Sequence, residues 1–211
     1  GVSPESITDF QLGYSLPGWD TLKQHFTGKG ESEADLLAAG LVIDTEGKGK
    51  HDRFRNRLMF PIVDNRGRTL GFGARALDDS QPKYLNSPQT PIFDKSGNLY
   101  GINFAAEAIR RQDMAVIVEG YMDVIMAHQY GIRNVVASMG TSITERQMTA
   151  LKRLSKHVVL CLDPDAAGEE AMLRGVVYEN TLGAEVRVML LPEGKDPDEV
   201  IKADVHAWQG F

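Results

Sequence analysis

The sequence predicts an α/β domain, a mostly parallel sheet with helices on both faces, preceded by a smaller basic α+β subdomain. Three observations carry that expectation. From about residue 115, short apolar runs alternate with segments of helical period, the pattern of successive βαβ units. Before about residue 110 that alternation is missing, and two apolar runs flank a turn-forming stretch, as in an antiparallel hairpin. Charge is divided as well: residues 48–75 hold eight basic side chains against two acidic, residues 111–211 ten basic against fifteen acidic.

Amphipathic pieces near 20–26 and 32–39 predict two short helices, and Thr45 to Lys50 reads as a loop. Arg57–Val63 and Thr69–Leu77, joined by Asp64-Asn65-Arg66-Gly67-Arg68, predict a hairpin. Ser80 to Gly101 is rich in Pro, Ser, Asn and Gly and reads as irregular. A connecting helix between about 104 and 114 divides a domain of residues 1–108 from one of 109–211. Val116-Ile117-Val118 then predicts a strand with a helix through Gln129. Asn134–Ala137 precedes a helix through Leu154, N-capped by Thr144 or Ser142. Val158–Leu162 precedes a helix over about 166–181, and Val186–Leu190 precedes one from Pro197. Right-handed crossovers place the C-terminal ends of these strands along one sheet edge, where open α/β sheets bind ligands.

Composition narrows the class. The 211 residues are 42% hydrophobic and 25% charged, which excludes disordered, collagen-like and coiled-coil chains. The single cysteine, Cys161, excludes a disulfide framework and a cysteine-rich zinc site, and its apolar surroundings predict a buried, inert thiol. With no apolar run of about 20 residues and no signal peptide, a soluble cytoplasmic protein with no membrane partner is expected. Position 1 is Gly, so a piece of a longer chain is expected too.

Three acidic clusters follow strands of the parallel sheet: Glu119-Gly120-Tyr121-Met122-Asp123, Asp163-Pro164-Asp165, and Asp196-Pro197-Asp198-Glu199. Removing Glu119, Asp123, Asp163, Asp165, Asp196 and Asp198 would erase the net charge of −6. Carboxylates gathered at one edge repel and need neutralising. Hard oxygen ligands without a His pair or a cysteine set point to Mg²⁺ or Mn²⁺ and away from zinc. Taken singly, Asp165 also fits a helix cap, and Asp196-Pro197-Asp198-Glu199 is good helix-start chemistry. Glu119, at the tip of an apolar strand and followed by Gly, has less structural purpose.

Glu119-Gly120-Tyr121-Met122-Asp123 and Asp163-Pro164-Asp165-Ala166-Ala167-Gly168 resemble the two signature motifs of the Toprim domain. Several further segments resemble the polymerase domain of bacterial-type DNA primase: Arg53-Phe54-Arg55-Asn56-Arg57-Leu58-Met59-Phe60-Pro61-Ile62, Gly71-Phe72-Gly73-Ala74-Arg75, Pro82-Lys83-Tyr84-Leu85-Asn86-Ser87-Pro88, Leu99-Tyr100-Gly101 and Ala137-Ser138-Met139-Gly140-Thr141-Ser142. The resemblance implies a DNA-templated RNA polymerase that makes replication primers. Its implied ligands are single-stranded DNA template, ribonucleoside triphosphates and the RNA primer, and its implied metal is Mg²⁺ or Mn²⁺.

Carried over residue by residue, the resemblance makes Glu119, Asp123, Asp163 and Asp165 catalytic. It associates Glu119, Asp123, Asp163, Asp165, Asp196 and Asp198 with metal. It assigns Arg53, Arg55, Arg75, Lys83, Tyr84, Asn86 and Lys95 to nucleotide and nucleic-acid contact. If their segment is extended, Arg53 and Arg55 point the same way and offer paired grips on phosphate. Gly71 and Gly73 fit either close backbone approach to a ligand or tight sheet packing. The family's zinc-binding module and the domain through which it meets the replicative helicase are expected to lie outside this chain. A Toprim nuclease or topoisomerase is the rival class, but none of the six tyrosines stands in a recognisable nucleophile context.

Overall fold

The computed structural model of the chain describes residues 1–47, 49–140, 142–161, 178, 183–189, 191, 195–205 and 208. The chain divides into two units. One comprises Ile7–Val63 and Arg68–Asp94; the other comprises Gly1–Ser6, Asp64–Gly67 and Lys95–Phe211. Helix α1 (Pro4–Asp9) belongs partly to each. The expected division at 108/109 falls inside helix α4 (Ile102–Gln112), which packs with strand β8 (Val135–Ala137) and so belongs to the second unit.

The first unit is built on a four-stranded antiparallel sheet. Strands β1 (Gly13–Ser15), β4 (Arg57–Val63), β5 (Thr69–Ala76) and β6 (Tyr84–Asn86) lie in the order β1-β4-β5-β6. The β4–β5 hairpin is the expected one. The stretch read as irregular contains β6, and the loop read at 45–50 is the turn of a second hairpin, β2 (Val42–Thr45) with β3 (Gly49–Asp52). Gly47 and Gly49 both take positive φ there, a conformation that favours glycine and closes the turn. Helices α2 (Thr21–Thr27) and α3 (Glu33–Ala38) match the amphipathic pieces. The N-cap residue of α2, Asp20, makes no side-chain cap bond. Buried Asp52 on β3 takes over, accepting the Leu22 and Lys23 N–H groups at 2.7 and 2.9 Å. At Gly71 a Cβ would meet Ser87 Cβ at 3.1 Å and Phe93 Cγ at 3.2 Å, so packing accounts for this glycine.

The second unit carries strands β7 (Ala115–Val118), β9 (His157–Leu160) and β10 (Glu185–Val188) beside β8. They form a parallel sheet in the order β10-β9-β7-β8. Every residue of β7 and β8 is buried, as two covered faces require. Helix α5 (Tyr121–Gln129) leads from β7 out to β8, and α6 (Glu145–Lys152) leads back past β7 to β9. Right-handed crossovers running in opposite directions put the two helices on opposite faces. Thr144 caps α6, its hydroxyl accepting the Gln147 N–H at 3.1 Å while the Gln147 amide oxygen accepts the Thr144 N–H at 3.1 Å. Helix α7 (Pro197–Ala203) starts with Pro at its first turn, as its sequence predicts. The helix expected over 166–181 lies outside the described residues apart from Tyr178. Cys161 is buried, as expected. Among the described residues no helix is long and apolar enough to cross a membrane.

Candidate active site

Sheet order locates the site. The chain leaves β7 toward β8 and returns to β9 on the other side, so the strand order reverses between β7 and β9. Ligand crevices in open α/β sheets form at the C-terminal ends of strands flanking such a point. Glu119 is the first residue beyond β7, half-buried. Asp163 and Asp165 follow β9 and lie outside the described residues.

Backbone hydrogen bonds fix Glu119. Its carbonyl accepts the N–H groups of Met139 and Gly140 at 3.1 and 3.3 Å, in the turn after β8. Both residues have positive φ, 66° at Met139 and 71° at Gly140. A buried methionine in that conformation costs of order 1 kcal/mol and persists only where its surroundings over-determine it. The sequence carries a single signal for this turn, Gly140, and does not disclose its role.

Asp123 sits at the third position of α5 and is buried. Its Oδ2 accepts the Gly120 N–H at 3.1 Å, and its Oδ1 accepts the Asp198 N–H at 3.3 Å, at the start of α7. The first and third acidic clusters therefore meet through this carboxylate. Asp196, the N-cap residue of α7, is exposed and makes no side-chain cap bond. Asp198 is paired with Lys202. Among the described residues no three His, Cys, Asp or Glu side chains form a group able to hold a metal. The carboxylates at this edge are nonetheless the hard oxygen donors that Mg²⁺ or Mn²⁺ takes, and Asp196 has no side-chain cap bond to give up.

Six of the seven basic and polar candidates belong to the first unit; Lys95 belongs to the second. Arg53 and Arg55 do not act as a parallel pair, because the chain bends at Arg53. Arg53 donates from Nε and Nη2 to the Asn86 carbonyl at 3.1 and 2.8 Å, and burial lowers its pKa. Arg55 donates to the Asp52 carbonyl and lies 4.2 Å from the ring centroid of Trp19. Trp19 is half exposed and is absent from the sequence-based candidates; its position after Pro17-Gly18 is the available signal. Arg75 and Tyr84 stand opposite one another on β5 and β6, with the guanidinium 5.8 Å from the ring centroid. Tyr84 and Lys83 are exposed. Burial lowers the pKa of Lys95, at the start of a 3₁₀ turn over Lys95–Gly97.

Comparison with known proteins bears on this geometry. Residues 1–106 match the DNA primase catalytic core, N-terminal domain, and residues 116–201 match the Toprim-like domain. Fold and site thus define a class: a Toprim domain joined to the N-terminal part of a primase core. The DNA primase of Clostridium acetobutylicum is 47% identical over 202 residues, 96% of this chain and 34% of that protein. A crystal structure of a DNA primase domain from Pseudomonas aeruginosa matches with a TM-score of 0.89 and 43% identity, covering 100% of this chain and 67% of that one. A DnaG primase catalytic domain bound to single-stranded DNA matches with a TM-score of 0.90 and 41% identity, again over 100% of this chain and 67% of that one. The chain belongs to the bacterial-type DNA primase (DnaG) family. It spans about a third of the length of the curated relatives it matches. Toprim domains and primases are generally metal-dependent.

Proposed function

We propose that this chain is the catalytic core of a DNA-templated RNA polymerase that makes short RNA primers on single-stranded DNA for replication. The observation that carries the reading is the placement of Glu119 at the point where strand order reverses, with Asp196 and Asp198 drawn to the same helix-start region through Asp123. Glu119, Asp163, Asp165, Asp196 and Asp198 would hold Mg²⁺ or Mn²⁺, which bound there would neutralise triphosphate oxygens and favour ionisation of the primer 3′-hydroxyl. The turn at Met139-Gly140 holds the Glu119 backbone through its carbonyl, which reduces the reorganisation needed at the moment of reaction.

Of the basic candidates, Lys83 and Arg75 suit phosphate contact, and the exposed ring of Tyr84 suits stacking on a base. Arg53 supports the site, since its guanidinium is taken up by the Asn86 carbonyl. Arg55 and Asn86 complete the contact set of the first unit, and Lys95 is a separate candidate for nucleic-acid contact in the second. The relative solved with single-stranded DNA supports a DNA template as ligand; ribonucleoside triphosphates and the RNA primer follow from the reaction. A replicative helicase would be met through a part of the protein beyond this chain, in the cytoplasm. We propose a division into family domains near 108; the matched segments 1–106 and 116–201 support that reading. Mn²⁺ soaked into crystals is expected to give anomalous density against Glu119 and the Asp163-Pro164-Asp165 segment. Density only at remote surface acids would defeat the assignment.

A further inference from the structure

We propose that Thr144 and Gln147 are positioning residues for Lys95: the cap of α6 also clamps the Lys95–Gly97 turn and presents its ammonium to a phosphate ligand at the Glu119 edge. The inference deepens the assignment of Lys95 to phosphate contact and rests on it. Gln147 is wholly buried, and its amide bonds only to backbone. The amide oxygen accepts the Thr144 N–H, completing the cap. Nε2 donates to the carbonyls of Lys95 and Asn98 at 3.3 and 2.9 Å, one at each end of the turn. A second side chain grips the middle: the Thr144 hydroxyl donates to the Ser96 carbonyl at 2.5 Å. The same hydroxyl accepts the Gln147 N–H, since a hydroxyl can do both. Donors and acceptors of the clamp stand 48–52 residues apart in the chain, so local turn chemistry does not account for it.

The connection between β8 and α6 carries the clamp to the acidic edge. Near its start Met139 and Gly140 donate to the Glu119 carbonyl, and where it enters α6 Thr144 and Gln147 hold the Lys95 turn. Tyr100 exchanges both backbone hydrogen bonds with Ala137, the last residue of β8. The segment from Lys95 to Tyr100 thus runs past the C-terminal end of β8, on the sheet edge where Glu119 follows β7. Charge at the turn is an observation independent of these bonds. Lys95 is half-buried, burial lowers its pKa, and no carboxylate among the described residues pairs with it. The guanidinium of Arg146 lies against Gly97, where a Cβ would meet Nη2 at 3.0 Å. A phosphate ligand takes metal on some oxygens and charged donors on others. Two cations on a clamped turn, beside carboxylates that suit Mg²⁺, meet both needs. Phosphate would also give Lys95 the counter-charge that a partly desolvated ammonium lacks.

The test titrates the 211-residue chain by calorimetry with two probes, ATP with Mg²⁺ and a single-stranded oligonucleotide. Lys95→Ala should weaken at least one of them about tenfold; the probe that loses more shows whether the phosphate belongs to nucleotide or to nucleic-acid backbone. Gln147→Met keeps the side-chain volume and the backbone N–H that Thr144 caps, but loses the clamp. It should weaken the same probe about three- to tenfold, and by less than about twofold on a Lys95→Ala background. Thr144→Val removes the other arm with the same expectation, and carries the test if the Gln147 variant fails to fold. Thr144→Ser keeps the hydroxyl and should hold affinity within about twofold of the unsubstituted chain. Losses that multiply in full on the Lys95→Ala background would overturn the proposal. So would a lower melting temperature with binding unchanged, which would leave Thr144 and Gln147 as helix caps alone. No binding of either probe by the unsubstituted chain, or no effect of Lys95→Ala, would instead defeat the assignment of Lys95 and take the proposal with it.

Discussion

Helix α5 leads directly out of the Glu119 turn, and near its C-terminal end His128 is almost wholly buried, with Nε2 2.9 Å from the Val135 carbonyl of β8. Burial pushes its pKa down from 6.5 to about 4. The hydrogen bond to Val135 opposes that shift, and the charge of Arg133 adds a smaller push downward. The sign follows from linkage. Above pH 6.5 the ring is neutral in folded and unfolded chains alike, and its contribution to stability is fully present. As pH falls below 6.5 the unfolded chain takes up a proton that the folded chain refuses, and stability drains away until about pH 4. Over the whole window this amounts to roughly 3 kcal/mol at about 1.36 kcal/mol per pH unit. Between pH 7.5 and 5 it is about 2 kcal/mol, which for a chain of this size corresponds to about 4–8 °C in melting temperature. His128→Gln keeps a neutral N–H donor and cannot titrate. Scanning calorimetry of both chains at pH 7.5 and pH 5 isolates the effect from the carboxylates, which titrate in each. The melting temperature of the unsubstituted chain should drop about 4–8 °C further than that of the variant. Parallel pH profiles would refute the argument, because they would mean that the ring is solvated or charged in the folded state.

Arg53→Ala should cost about 1.5–3 kcal/mol of folding stability, because a half-buried carbonyl loses two charged donors; equilibrium urea unfolding measures it. Arg75→Ala and Lys83→Ala should leave melting nearly unchanged and weaken binding of a single-stranded oligonucleotide. The salt slope of log K should flatten by about 0.7 per lost phosphate contact, and an unchanged slope would return these residues to a solvated face. Gly71→Ala should destabilise by about 1–3 kcal/mol through overpacking against Ser87 and Phe93, again read in urea. Because charged and small polar side chains grip backbones better than they read bases, the chain should show little sequence preference on single-stranded DNA. A tenfold preference among trinucleotides in a binding titration would contradict that.

Legibility in the sequence followed the range of the interactions. Among the described residues the parallel half was readable in outline, since β7, β8 and β9 are apolar runs, α5 and α6 carry helical period, and Thr144 caps α6. The hairpin β4–β5 announced itself through its own turn. Strands β1 and β6 did not: each is three residues long, and each is made a strand by pairing with a partner distant or separated by loops, Gly13 with Met59 and Asn86 with Gly73. Within the site, the spacing of acidic clusters and strands marked the sheet edge. It could not reveal that Asp123 turns inward, that Arg53 spends its guanidinium on a carbonyl, or that Asp52 completes a helix start from another strand. Those depend on hydrogen bonds between segments far apart in the chain.

The central claim is that the carboxylates at the β7–β9 edge carry metal-dependent primer synthesis. Its most direct test is ribonucleotide incorporation on a single-stranded DNA template with Mg²⁺ or Mn²⁺, comparing the unsubstituted chain with Glu119→Gln, a near-isosteric change that removes one charge. The account predicts short RNA products from the former and a loss of at least about 100-fold in the latter, a transition-state penalty of about 2.7 kcal/mol, with melting temperature preserved. Equal incorporation by both chains, or cleavage of the DNA in place of RNA synthesis, would contradict it.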